Sequence, residues 1–119
     1  MSDFQDWDVN TTGLLTIDLQ NDFLHPQGAY GRAGQGSDNI AVLPARIAPI
    51  VTALRNRGGH YFSAQFTLVP QPDGEPLIAP HLKALRPFLG KGDFTPGSFG
   101  HNLVDTLAPA DYTLSLIHI

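Results

Sequence analysis

The chain has 119 residues, of which 42% are hydrophobic and 15% are charged, and its formal net charge is −4. This composition is typical of one folded domain and excludes a disordered chain. The seven Lys and Arg residues form no run, so the clustered positive charge of a nucleic-acid-binding protein is absent.

Further classes of protein and of site are excluded by what the sequence lacks. No apolar stretch approaches the ~18 residues of a membrane span, and the acidic residues 1–6 do not form a signal peptide. The sequence contains no cysteine, which excludes disulfides, thiolate metal sites and a cysteine nucleophile within these 119 residues. We therefore expect a cytoplasmic protein with no nucleic-acid partner and no membrane partner.

The first predicted elements are a loosely held polar arm, residues 1–12, and a strand over residues 13–18. The strand is a short, partly β-branched apolar run bounded by turn-forming residues, as in a parallel sheet that is covered on both faces. Asp18 ends this strand, and ligands of open α/β sheets bind beyond the carboxyl ends of strands. Position alone leaves two interpretations open, because Asp18 could face a ligand or merely cap the following turn.

The next predicted elements complete a βαβ unit. Four glycines between residues 25 and 37 predict a loop, and residues 60–66 predict a second strand, parallel to the first. Over residues 39–57, apolar residues recur at three- and four-residue steps, which predicts a helix with this stripe against the sheet. Pro44 and Pro49 would each cost about 3 kcal/mol in a helix interior, so we expect a kink or a start near Pro44.

The second half of the chain predicts loops with short regular elements. Residues 67–100 contain six of the ten prolines, which indicates a loop layer around a mouth. Short helices are predicted at residues 80–87 and 98–107, and a third strand at residues 112–117.

The residues that follow the first strand carry a family resemblance. The run Asp18-Leu19-Gln20-Asn21-Asp22-Phe23, followed by His25-Pro26-Gln27-Gly28-Ala29-Tyr30, resembles the opening signature of the isochorismatase-like cysteine hydrolases. The resemblance implies a Rossmann-like three-layer α/β/α fold with a parallel sheet. It implies that residues 13–114 are the N-terminal part of the hydrolase domain, a first half with strand order 3-2-1.

The resemblance also implies a chemistry. In this superfamily a Cys thiolate attacks a carbonyl carbon, an Asp acts as general base and proton shuttle, and a Lys stabilises charge. It gives the catalytic acid/base role to Asp18, a place in the substrate-binding pocket to Phe23, and a pocket-shaping amide to Gln20. Neither Lys83 nor Lys91 matches the family's lysine, and the family's cysteine would lie farther along.

The resemblance therefore implies a fragment of an enzyme that cleaves a C–N amide or ureide bond of a small-molecule substrate. We expect the fragment to be inactive alone and the complete enzyme to be homo-oligomeric. Residues 63–70 lack the Asp-x-His pattern of nicotinamidase-like members, and the five histidines lack metal-ligand spacing. The resemblance thus implies the metal-independent branch, with no metal and no cofactor.

Three alternatives stay open. The chain could be a non-catalytic α/β binding or assembly module, or a structural βαβ domain whose Asp18 is a turn cap. Within the same superfamily, it could belong to an enzyme that hydrolyses isochorismate. The ending also resembles translated adapter sequence, which leaves open that residues 115–119 are a non-native tail.

Overall fold

Three parallel strands form one sheet in the computed structural model, which describes residues 7–117. The strands are β1 (Gly13–Ile17), β2 (His60–Thr67) and β3 (Tyr112–Ile117), and they lie in the order β1-β2-β3. Read from the opposite edge, this is the predicted order 3-2-1. The prediction of an α/β fold with a parallel sheet is confirmed, and β1 lies at an edge of the sheet that the described residues form.

Helices connect these strands, four of them between β1 and β2 and one between β2 and β3. They are α1 (Asn21–Leu24), α2 (Ala29–Arg32), α3 (Asp38–Ala41), α4 (Leu43–Asn56) and α5 (Pro80–Leu85), with a 3₁₀ turn at Val9–Thr11. Within residues 7–117, no helix is both long and apolar enough to cross a bilayer. Residues 1–6 of the predicted arm and residues 118–119 of the predicted tail lie outside the described part.

The helix predicted over residues 39–57 is two helices, α3 and α4, which meet at Val42. Pro44 lies in the first turn of α4, where the missing backbone N–H costs nothing, so the predicted start near this proline is confirmed. The predicted stripe faces the sheet only in part. Val51 is buried and Ile47 packs beside it, whereas Ile50 is 56% exposed.

Two predictions for the loops are wrong. The predicted loop over residues 25–37 contains α2, and Gly28 precedes that helix where a Cβ would lie 1.9 Å from the Asn21 carbonyl oxygen. The predicted helix over residues 98–107 is a series of turns. Its backbone pairs instead with the residues after β1, since Val104 N donates to the Leu19 carbonyl at 3.0 Å. This long-range pairing replaces the local bonds that a helix would need.

The hydrophobic core has two parts, and the alternation of side chains along β2 places them on opposite faces of the sheet. One part lies around Tyr61 between the sheet, α4 and the turns after residue 102; its buried members are Leu19, Val51, Tyr61, Leu103, Val104 and Leu107. The other part lies around Phe66 at the carboxyl end of β2; its buried members are Ala29, Phe66, Leu68, Leu89 and Phe94. The second part supports the loops that follow β1.

The remaining surface of the sheet is apolar and exposed. We call it the open face, and it consists of Leu15, Ile17, Tyr112 and Leu114, which are 49–55% exposed. The strand register places them on one side of the sheet, because Leu15 lies beside Phe62 and Phe62 lies beside Tyr112. An apolar face next to an unpaired edge strand is a template for association.

We expect this 119-residue chain, expressed alone, to be unstable, oligomeric or insoluble because of the open face. Ile17→Lys should shift it toward the monomer, since a charge on the face opposes pairing, whereas Ile50→Lys should not. The two isoleucines are 55% and 56% exposed, so the control matches the change in charge and exposure. Size-exclusion chromatography with light scattering measures the mass. Sharp cooperative melting of a wild-type monomer would contradict the prediction.

Candidate active site

A cavity of about 420 Å³ lies at the carboxyl end of β1. Apolar side chains form most of its wall, and the polar residues among them come from β1's end and three later segments. The lining residues are Ile17, Asp18, Leu19, Phe23, Leu24, Tyr30, Gln35, Ser37, Ile40 and Arg86. The cavity is thus where an open α/β sheet binds its ligand, and it is large enough for a small organic molecule.

Asp18 is the carboxylate in the cavity wall. Its backbone N–H donates to the Ala64 carbonyl at 2.9 Å, which continues the ladder between β1 and β2 by one residue. Its φ of +63° then turns the chain sharply out of the strand. Asp tolerates this left-handed conformation better than most residues, yet the conformation costs of order 1 kcal/mol and is a feature of functional sites.

Phe23 lies in α1 and lines the cavity, and its predicted contact with a substrate stays a prediction. Its ring is held by three other rings, with centroid distances of 4.9 Å to Tyr30, 4.6 Å to Phe94 and 5.9 Å to Phe66. The tilted and edge-on geometries are the favourable ones for aromatic pairs. The wall at Phe23 is therefore rigid.

Gln20 is completely buried and is not among the residues that line the cavity. Its amide nitrogen donates to the carbonyls of Phe66 and His101, both at 2.9 Å, and its amide oxygen accepts from Phe66 N at 2.7 Å. The side chain thus pairs with β2 as a further strand residue would. Its predicted contact with a substrate stays a prediction, and the structure gives it the role of support.

Asp22 is buried and anchors two loops beneath the cavity. One carboxylate oxygen accepts from Ala29 N at 2.8 Å, and the other accepts from Phe94 N at 2.7 Å. Its own N–H donates to the Gly100 carbonyl, and a Cβ at Gly100 would lie 2.0 Å from this carboxylate. Asp22 therefore fixes the turn that follows β1.

Arg86, directly after α5, is a residue of the cavity that sequence reasoning missed. Its Nε donates to the Tyr30 hydroxyl at 3.2 Å, and its Nη1 donates to the Leu85 carbonyl at 3.0 Å. Nothing in the local sequence marks it, because its position depends on the path of the proline-rich loops. Lys83 and Lys91 do not line the cavity, and Lys83 donates to the Leu89 carbonyl instead.

His101 is buried beside β2 and is not among the residues that line this cavity. One of its ring nitrogens is 2.8 Å from the Thr67 hydroxyl. Burial lowers the pKa of His101 below its ordinary value of 6.5, and the nearby charge of Asp22 only partly opposes this. Within residues 7–117, no three His, Cys, Asp or Glu side chains come together as a metal-binding set.

The family of the chain follows from a comparison with protein-family models. The model for the isochorismatase domain matches residues 12–116, which is most of the chain. The chain belongs to the isochorismatase family. No curated protein sequence matches it significantly.

Solved structures match the isochorismatase-family fold of this chain. A cysteine hydrolase from Pseudomonas syringae pv. phaseolicola 1448A has a TM-score of 0.66 at 15% identity, over 95% of this chain and 48% of that chain. An isochorismatase-like hydrolase from Alkaliphilus metalliredigens has a TM-score of 0.55 at 16% identity, over 89% and 49%. At these identities the likeness concerns the fold, and the chain spans about half the length of these structures.

Asp22→Ala is expected to destabilise the full-length protein by about 2–4 kcal/mol, because it leaves two buried N–H groups without an acceptor. Asp22→Asn keeps one acceptor and should cost less. Urea unfolding measures the change. Asp38→Ala, at an exposed position in α3, is the control and should stay within about 0.5 kcal/mol of the wild type.

The stability of the full-length protein should fall as the pH drops below 6.5, in part because of His101. The unfolded chain then binds a proton that buried His101 resists, so protonation favours the unfolded state. His101→Gln should make the urea midpoint depend less on pH between 7.5 and 5.5. His81→Gln, at an exposed position in α5, should keep the wild-type dependence. Equal slopes for wild type and His101→Gln would contradict this.

Proposed function

We propose that the full-length protein hydrolyses a C–N bond of a small amide or ureide by means of a cysteine nucleophile, with Asp18 as the acid/base group. The observation that carries the proposal is the position of Asp18. Asp18 lies in the wall of a ligand-sized cavity, at the end of β1, in a backbone conformation that is energetically costly. The family to which the chain belongs, and the hydrolase structures that share its fold, support the proposal.

In the proposed reaction, the Asp18 carboxylate takes the proton of the thiol, and the resulting thiolate attacks the carbonyl carbon. The tetrahedral intermediate collapses as the C–N bond breaks, and protonated Asp18 delivers the proton to the leaving nitrogen. A water molecule, deprotonated by Asp18, then attacks the thioester and releases the carboxylic or carbamic acid and the thiol. The thiol is supplied by residues outside these 119, since the chain contains no cysteine.

The site around Asp18 suits this role in two ways. The mostly apolar wall, with Phe23 held among other rings, limits the water around the carboxylate and strengthens its interactions with a bound substrate. Gln20 and Asp22, both buried and hydrogen-bonded, fix the backbone on the carboxyl side of Asp18. Such preorganisation is what proton transfer to a bound substrate requires.

A binding module without catalysis is the second candidate, because a ligand-sized cavity serves binding whether or not a reaction follows. A module of this kind would use the same cavity but would have no need for a proton acceptor at the strand end. Turnover separates the two candidates.

Asp18→Asn in the full-length protein is expected to lower kcat for hydrolysis of small amides and ureides by at least about 100-fold, because the amide cannot carry the proton. Release of ammonia or amine measures the rate. Asp73→Asn, at an exposed turn outside the cavity, is the control and should retain full activity. The same assay on Lys83→Ala and Lys91→Ala tests whether either lysine supplies the positive charge that a lysine provides in this superfamily.

Full activity of Asp18→Asn in a correctly folded protein would contradict the acid/base assignment. A full-length protein with no hydrolase activity on any amide or ureide, but with a ligand in the cavity, would establish the binding module instead.

A further inference from the structure

The guanidinium of Arg86 is the cationic group in the cavity wall, and the carboxylate of Asp18 is the anionic one. The ion pairs of the described part of the chain join Arg32 to Asp22 and Asp93, and Arg55 to Asp111. Arg86 takes part in none of those pairs; it is exposed to solvent and borders a mostly apolar cavity. A cation at such a place, without an acidic partner in the described residues, is suited to an anion from outside the protein.

The orientation of Arg86 is fixed by neutral groups. Its Nε donates to the Tyr30 hydroxyl, and Tyr30 is itself held by ring contacts with Phe23 at 4.9 Å and Phe88 at 5.0 Å. Its Nη1 donates to the Leu85 carbonyl. None of these partners carries a negative charge, so the positive charge of the guanidinium is held in place without being neutralised.

The two charges would also determine how a charged ligand lies in the cavity. An anionic group of a ligand would be repelled by Asp18 and attracted by Arg86, so it would lie on the Arg86 side. The reacting carbonyl would then lie on the Asp18 side. We propose, building on the function proposed above, that the substrate carries a carboxylate that Arg86 binds, with Tyr30 as the residue that positions Arg86.

Binding of ketone probes tests this inference without any hydrolysis. Isothermal titration calorimetry on the full-length protein would compare 4-oxopentanoate with its neutral counterpart 5-hydroxypentan-2-one, and 5-oxohexanoate with 6-hydroxyhexan-2-one. At least one acid should bind about 10- to 100-fold more tightly than its alcohol, the range that a charge-assisted hydrogen bond gives. This preference should weaken as salt rises, because the charges are then screened.

Variants assign the preference to Arg86. Arg86→Gln should abolish the advantage of the acid while leaving the alcohol's affinity unchanged, and Arg86→Lys should keep part of it. Tyr30→Phe should reduce it severalfold, since the guanidinium loses its acceptor. Arg46→Gln, at an exposed position of α4 outside the cavity, is the matched control and should bind both probes as the wild type does.

Two outcomes would overturn the inference. One is that neither acid binds better than its alcohol at millimolar concentration, and the other is that Arg86→Gln weakens acid and alcohol alike. Neither ketone contains a C–N bond, so this result does not depend on turnover. An acid preference that requires Arg86, found together with full activity of Asp18→Asn, would retain this inference and remove the proposed acid/base role.

Discussion

A buried polar triplet, Gln20-Asn21-Asp22, constrains the loops around the cavity. The Gln20 amide bonds to β2 and to the turn at His101, and the Asp22 carboxylate bonds to the backbone at the start of α2 and at Phe94. Asn21 adds a bond from its amide nitrogen to the Phe99 carbonyl at 2.8 Å. Because buried polar groups are costly when unpaired, these bonds form together or not at all, so loops far apart in sequence share one geometry.

The triplet also explains how Asp18 keeps its unusual backbone conformation. The left-handed backbone conformation costs an aspartate of order 1 kcal/mol, and an isolated turn would relax to a more favourable conformation. Here the ladder bond to Ala64 fixes the residue from the strand side, and the bonds of Gln20 fix the chain two residues later. The sheet on one side and the loops on the other thereby fix the orientation of Asp18.

The sequence predicted those parts of the fold that depend on local rules. The strand that ends at Asp18 and the start of α4 near Pro44 both follow from residue type and position. The turns at residues 98–107 and the place of Arg86 do not. Both depend on pairing between segments more than 50 positions apart, for example from Leu19 to Val104, which no periodicity within a window can reveal.

The open edge of β1 and the cavity at its end are two aspects of one feature. A strand that paired in parallel with β1 would bring its own carboxyl end beside Asp18, because the carboxyl ends of parallel strands meet at the same edge. The residue after such a strand would then face Asp18 across the cavity, which is where the proposed mechanism needs its thiol. Burial of the open edge and completion of the site would thus occur in the same step, with Arg86 holding the far end of the substrate.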